Sequence, residues 1–336
     1  MDQTRWVRPL NTEPGHWKKQ MPGKVLKLAT LKDSAKLREY LQSNPDQINK
    51  QGPHGRTLLF EAIRKGRLDN VRYLLDRGAN PNLTGCYNIE SFVQLSGLAS
   101  AKYYKRNQLE ELLTDYGATW DIWRAAFCAE NNLVESFLIQ DSTLLNAEDD
   151  NDEIYLYSPL SFAIAGGNLP TAKGLLARGA NLHIYGVQLL FISANNLRLD
   201  IVKWLTEEGV SAEQANSAMW SATNDLEILK SLVDAGLSAR QERYSGLTPL
   251  HYVCRGDKGE NVKKLQMVID LEAEINALGP KGRTPLHYAA QGGYARSVEM
   301  LLAAGADKSI RDSLGQTALD LARVKKKSTV IEALQN

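Results

Sequence analysis

Thr-Pro-Leu-His stands at residues 248–251 and again at 284–287, and a reduced copy, Thr-Ala-Leu-Asp, follows at 317–320. The starts recur at a spacing of about 33–36 residues, an interval that marks one structural unit copied along the chain. A second regularity lies inside the unit. The separation of Thr57 from Gly78 is the same as that of Ser158 from Gly179 and of Thr284 from Gly305. Such a chain folds as a stack in which each unit meets only its neighbours, so length adds units rather than cores.

The unit "GRTPLHYAAQGGYARSVEMLLAAGAD" can be read residue by residue. Thr284 suits a helix start, where its hydroxyl accepts from an orphan backbone N–H. Pro285 follows at the first helical position, where it has no N–H to lose. Leu286, Ala289 and Ala290 predict a short helix with small side chains that lets neighbours approach, and Gly292-Gly293 breaks it. Val298, Leu301 and Leu302 give the i, i+3, i+4 face of a second helix. Gly305 ends it in the left-handed conformation. The same face recurs at Val71/Leu74/Leu75, Leu109/Leu112/Leu113, Val134/Phe137/Leu138, Leu229/Leu232/Val233 and Leu265/Val268/Ile269. "DRGAN", "ARGAN" and "AAGAD" mark the exits after three of these helices.

This pattern resembles the ankyrin repeat, a helix–turn–helix unit with a β-turn finger and a Thr-Pro-Leu-His signature. The match is strong at 55–83, 158–184 and 246–322 and recognisable over about 24–336. It weakens at 84–121 and at 185–241, where Thr, Pro and His are lost but a helical pattern persists. The step from Leu109 to Val134 is shortened to about 25 residues against the usual period of about 33. That leaves room for two helices and little for a finger. The expected fold is an all-α repeat solenoid of eight or nine units, about 80–100 Å long if its helices pack about 8–10 Å apart. Residues 1–23 read as an N-terminal extension and 24–336 as a single repeat domain, capped by "KVLKLATLKDSAKLREYL" and by the polar "LGQTALDLARVKKKSTVIEALQN". The resemblance implies that His251 and His287 are structural hydrogen-bonding residues tying adjacent units together.

The remaining chemistry is sparse. No Cys-x-x-Cys, His-Glu-x-x-His, Walker loop, Gly-x-Gly-x-x-Gly or Gly-x-Ser-x-Gly string occurs, so no catalytic residue, metal or cofactor is expected. Cys254 lies three residues after His251, but the small-residue position of a first helix explains it better than a nucleophile. Cys86, Cys128 and Cys254 are odd in number and far apart, as free thiols in a reducing compartment would be. The opening residues carry no apolar signal segment, and no run approaches the roughly 20 apolar residues of a membrane helix. The expected location is the cytoplasm, or a host cytosol for an exported effector. A net charge of +1 gives no overall field for nucleic acid, although the first fifty residues hold ten Lys/Arg against five Asp/Glu and "RVKKK" lies near the end.

One segregation of charge stands out. Between Arg124 and Lys173 there is no Lys or Arg, while "AEDDNDEIYLYSP" concentrates acid just before a first helix. In ankyrin repeats that position carries the displayed finger. Asp149, Asp150, Asp152 and Glu153, with Tyr155 and Tyr157 behind them, and Tyr185 and Tyr244 at comparable positions, therefore form the expected partner surface. Tyr is favoured among interface anchors, and clustered acid steers a basic partner. Trp6 and Trp17 in the N-terminal arm are a second aromatic feature, packed on the array or held for a partner. The expected function is protein binding without catalysis or a small-molecule substrate, as an inhibitor, immunity-type protein or effector. The alternatives are an enzyme with a site in the divergent repeats, or nucleic-acid binding through the basic ends.

Overall fold

Six first helices begin where the chain supplies a side-chain acceptor for the orphan N–H groups of the first turn. In the computed structural model, which describes residues 21–86, 93–149, 158–182, 186–213, 215, 219–239, 246–256 and 259–335, the Thr57 hydroxyl accepts from Phe60 N at 3.1 Å. Asp121 accepts from Arg124 N at 2.8 Å. Ser158, Thr248, Thr284 and Thr317 form reciprocal capping boxes with Ser161, His251, His287 and Asp320. The hydroxyl or carboxylate of the motif is thus what starts the helix.

The chain divides into two compact units, Met1–Asn181 and Leu182–Asn336. The first opens with α1 (Gly23–Leu26) and α2 (Ala35–Ser43). The pairs α3 (Leu58–Arg64) and α4 (Leu68–Asp76), α5 (Gly97–Tyr103) and α6 (Gln108–Asp115), α7 (Ile122–Phe127) and α8 (Asn131–Gln140), and α9 (Pro159–Ala165) and α10 (Leu169–Ala177) follow. Met21 is already buried, and its N–H donates to the Gln51 carbonyl. The second unit holds α11 (Gly186–Asn195) and α12 (Leu199–Glu207), α13 (Met219–Ala222) and α14 (Leu226–Asp234), and α15 (Pro249–Arg255) and α16 (Val262–Asp270). It ends with α17 (Pro285–Gly292) and α18 (Ala295–Ala303), then α19 (Ala318–Val324) and α20 (Ser328–Gln335). Both units are helical solenoids, and among the described residues the strand pairing amounts to one antiparallel bridge, Gly85 to Leu95.

The i, i+3, i+4 faces read from the sequence are the buried faces of the second helices: Val71, Leu74 and Leu75 of α4, Leu109, Leu112 and Leu113 of α6, and Val298 and Leu301 of α18. The exit glycines Gly78, Gly179 and Gly305 have φ of 84°, 92° and 91°. Gly117 (φ 79°) closes the divergent repeat in the same way, as far from the Ser96 cap as Gly78 is from Thr57. The shortened step has the expected consequence, since only Ala118, Thr119 and Trp120 separate Gly117 from Asp121.

Neighbouring repeats are tied by polar side chains reaching to backbone. The Nδ1 of His251 accepts from Thr248 N (3.1 Å) and lies 2.8 Å from its hydroxyl, while Nε2 is 3.0 Å from the Arg283 carbonyl at the start of the next repeat. His287 repeats this with Thr284 and with the Gln316 carbonyl at 3.1 Å. A carbonyl only accepts, so Nε2 carries the proton in both rings and the neutral imidazole fits. Asparagines form a second set of ties. Asn49 donates to the Gly78 carbonyl (3.0 Å) and accepts from Asn80 N (2.7 Å). Asn82 grips Gly117 and Thr119 N, Asn146 grips Gly179 and Asn181 N, and Asn276 grips Gly305 and Asp307 N.

Two buried side chains satisfy backbone groups in the described part of the divergent stretch of the second unit. Trp220 of the four-residue α13 is fully buried and donates from Nε1 to the Ser238 carbonyl at 3.2 Å. Lys264 of α16 is buried, with Nζ 2.9 Å from the Thr223 carbonyl and 3.3 Å from Asn224 Oδ1. An ammonium there satisfies carbonyls that a longer helix would have satisfied itself.

His287→Ala is expected to lower stability by about 1–3 kcal/mol, the cost of leaving buried partners unpaired. Desolvation by burial holds the His287 pKa below its ordinary value. The unfolded chain therefore binds the proton more tightly, and this contribution is complete above the ordinary histidine value and is lost as pH falls through it towards the depressed one. Urea midpoints measured from neutral to mildly acid pH should fall for the natural chain and fall less for His287→Ala.

Candidate partner-binding surface

Of the residues expected to form the partner surface, Tyr155, Tyr157, Tyr185, Tyr244, Asp150, Asp152 and Glu153 lie outside the described residues. Asp149 lies within them, and its position corrects the expectation of a displayed carboxylate. It is 2% exposed, and its Oδ2 sits 2.6 Å from Nη1 of Arg124, itself 1% exposed. Asp149 is an anchor at the root of the acidic segment.

Arg124 explains why. It stands on α7, its guanidinium lies 5.2 Å over the Phe162 ring, and its Nε donates to the Gln94 carbonyl at 2.9 Å. Asp121, the α7 cap, is 3.6 Å from Nη1. Burial raises the Asp121 pKa, and the Arg124 charge beside it pulls the other way. One guanidinium thus joins the finger region before α5, the cap of α7 and the chain leading to α9. A planar fork with fixed donors suits this better than an ammonium would. In the sequence Arg124 was only the edge of a Lys- and Arg-free stretch. The signal for its burial was its place in a first helix that otherwise carries apolar and small residues.

A second surface, which the charge pattern did not reveal, lies where first helices hand over to second helices in the first unit. The turns at Gly66, Lys105 and Ala129 all have left-handed backbone, with φ of 63°, 55° and 61°. Tyr103, 49% exposed, meets Tyr104 edge-on at 5.0 Å and leans on Phe127 at 5.6 Å. Lys102 pairs with Glu130 at 2.6 Å. Arg106 donates from Nη2 to the Arg64 carbonyl, and Arg67 from Nε to the Thr30 carbonyl. Burial pushes the Tyr104 phenol up to about 12, so it stays neutral.

The thiols with nucleophilic potential are spent on structure. Burial pushes the Cys128 thiol up to about 12 and the Cys254 thiol up as well, away from the thiolate a nucleophile needs. Among the described residues no three His, Cys, Asp or Glu side chains group as a metal site. No helix among them is long and apolar enough to cross a membrane.

Hydroxyl-capped first helices, left-handed exit glycines and histidines reaching the next repeat agree with the family comparison. The pattern described as ankyrin repeats (3 copies) matches residues 215–312 and 261–335, and the single ankyrin repeat matches 54–86. The chain carries ankyrin repeats over these residues. It is similar to a protein of Rickettsia felis named for ankyrin repeats, at 22% identity over 313 aligned residues, covering 79% of this chain and 78% of that protein. A Rickettsia bellii protein named in the same way is 32% identical over 112 residues, covering 33% of this chain and 61% of its own length. Ankyrin repeats are protein-interaction modules.

The anchor can be tested directly. Asp149→Asn should lower stability on the order of 3 kcal/mol, because it takes the nearer carboxylate from a buried guanidinium and leaves only Asp121 at 3.6 Å. Replacing both members, Arg124→Met with Asp149→Leu, should recover most of the loss. Denaturant midpoints of the two variants would check this, and equal losses in the single and the double variant would contradict the pairing.

Proposed function

We propose that this ankyrin-repeat chain binds a protein partner without catalysis, and that the partner meets the acidic finger with a basic surface. The observation that carries the reading is the charge segregation from residue 125 to 172, which holds eight acidic residues and no Lys or Arg. The buried Arg124–Asp149 pair supports it, because a root fixed in the core lets the following residues be presented with less ordering cost. Asp150, Asp152 and Glu153 are assigned to steering, and Tyr155 and Tyr157 to contact, with Tyr185 and Tyr244 extending the surface. No cofactor is assigned. The three free cysteines fit a reducing, cytoplasmic setting. Occupying a partner's basic surface is the mode of action of an inhibitor, an immunity-type protein or an effector.

Capture of the partner from lysate, followed by binding kinetics, tests this. Tyr155→Ala with Tyr157→Ala should speed dissociation, each central Tyr contributing about 2 kcal/mol. Asp150→Lys with Asp152→Lys should slow association and flatten its salt dependence. Unchanged kinetics in both double variants would place the site elsewhere. Substrate turnover with no stoichiometric partner would overturn the non-catalytic reading.

A further inference from the structure

We infer that the handover turns of α3/α4 and α5/α6 form a second binding surface in the first unit, which takes an acidic, aromatic-bearing segment of a protein. The inference rests on the chain being a protein-binding array but concerns a surface of opposite charge to the finger. Three observations carry it. Arg64, Lys65 and Arg67 occupy one turn, and Lys102, Lys105 and Arg106 the next. The two turns are in contact, since Arg106 donates to the Arg64 carbonyl. Glu61 is buried between Arg56 and Arg64, and Glu130 is paired with Lys102. Among the described residues Lys65 and Lys105 pair with no carboxylate, and Arg67 and Arg106 bond only to backbone carbonyls. The surface therefore presents cations whose carboxylates are missing. Asp69, Glu110 and Glu111 stand in the first turns of α4 and α6, beyond the turns themselves.

The second observation is Tyr103, half exposed and held in one orientation by Tyr104 and Phe127. A rigid aromatic with its body displayed is an anchor for apolar side chains. Its neighbours crowd the ring in an edge-on and a tilted arrangement, which leaves a poor platform for stacking a nucleic-acid base. The third observation is the backbone at Lys105, where φ is 55°. The matching left-handed turns of the first unit have Gly66, Ala129 and Gly167, so this one alone among them carries a charge there. A long cationic side chain kept in a strained conformation points to a use outside the fold. Charge complementarity then fixes the occupant: carboxylates for the four cations and an apolar or aromatic side chain against Tyr103.

The probe is a fluorescein-labelled peptide of alternating Glu and Phe, measured by anisotropy against the intact chain. It should bind with an affinity that falls as salt rises, while the same peptide with Lys for Glu should not bind. Tyr103→Ala should weaken binding roughly tenfold or more. Lys65→Glu should slow association. Lys105→Gly is the discriminating variant: relief of the left-handed strain should raise the thermal midpoint while binding weakens, an opposition that a structural role would not produce. Absence of binding, or binding indifferent to all three substitutions, overturns the inference. Tighter binding of oligothymidine than of the peptide overturns it in favour of nucleic acid, and self-association abolished by Lys65→Glu overturns it in favour of a second copy. Loss of the peptide with the lysate partner still captured removes this surface alone and leaves the acidic-finger reading standing.

Discussion

The reach of one repeat's side chain to the next repeat's backbone is the interaction on which everything else rests. A unit of two short helices buries one face and leaves the carbonyls of its turns and exits unanswered. His251 and His287 answer two of them from inside the stack, and Asn49, Asn82, Asn146 and Asn276 answer four more at the exits. Each bond is modest by itself, about 1 kcal/mol net. Their effect is to make the register between neighbours specific, because a slip leaves the donor and the acceptor unpaired together.

The same logic explains the buried charges. Arg124, Asp149, Glu61 and Lys264 all sit in the interior of the stack, and each is matched by an opposite charge or by carbonyls. Two of them stand beside irregular stretches: Arg124 against the loop before α5, and Lys264 against the loop after the four-residue α13. Where a repeat has lost its standard residues, a long polar side chain from a neighbour fills in for the lost backbone pairing. The described parts of the divergent repeats therefore have their own solutions for buried backbone groups.

Much of this was legible beforehand. Caps, buried faces and exit glycines depend on residues within one unit, and local chemistry writes them plainly into the sequence. The histidine role was legible through the resemblance, since both rings sit in an intact Thr-Pro-Leu-His. The Asn ties were not read, although Asn49 and Asn82 stand one repeat period apart, because an exposed Asn near a glycine looks like any loop residue. Asp149 was misplaced for a related reason. In "AEDDNDE" it is indistinguishable from its neighbours, and only the three-dimensional position of Arg124 separates the buried carboxylate from the rest. The cationic handover turns escaped because each holds only three Lys or Arg, with acid close by at Glu61 and Asp69 or at Glu110 and Glu111.

The three-residue connection of Ala118, Thr119 and Trp120 has a bearing on modularity. Repeat arrays are often thought of as interchangeable bricks, yet this brick has a different length from those around it, and Trp120 is tucked against the hydrophobic core of its unit. On one side it supplies the Arg124 that holds Gln94 in the preceding loop, and on the other the same guanidinium holds Asp149 ahead of α9. Deleting this repeat would leave the Gln94 carbonyl unanswered at one junction and strand the Asp149 carboxylate at the other. The stretch from Gln94 to Asp149 is thereby keyed near its centre by a single arginine.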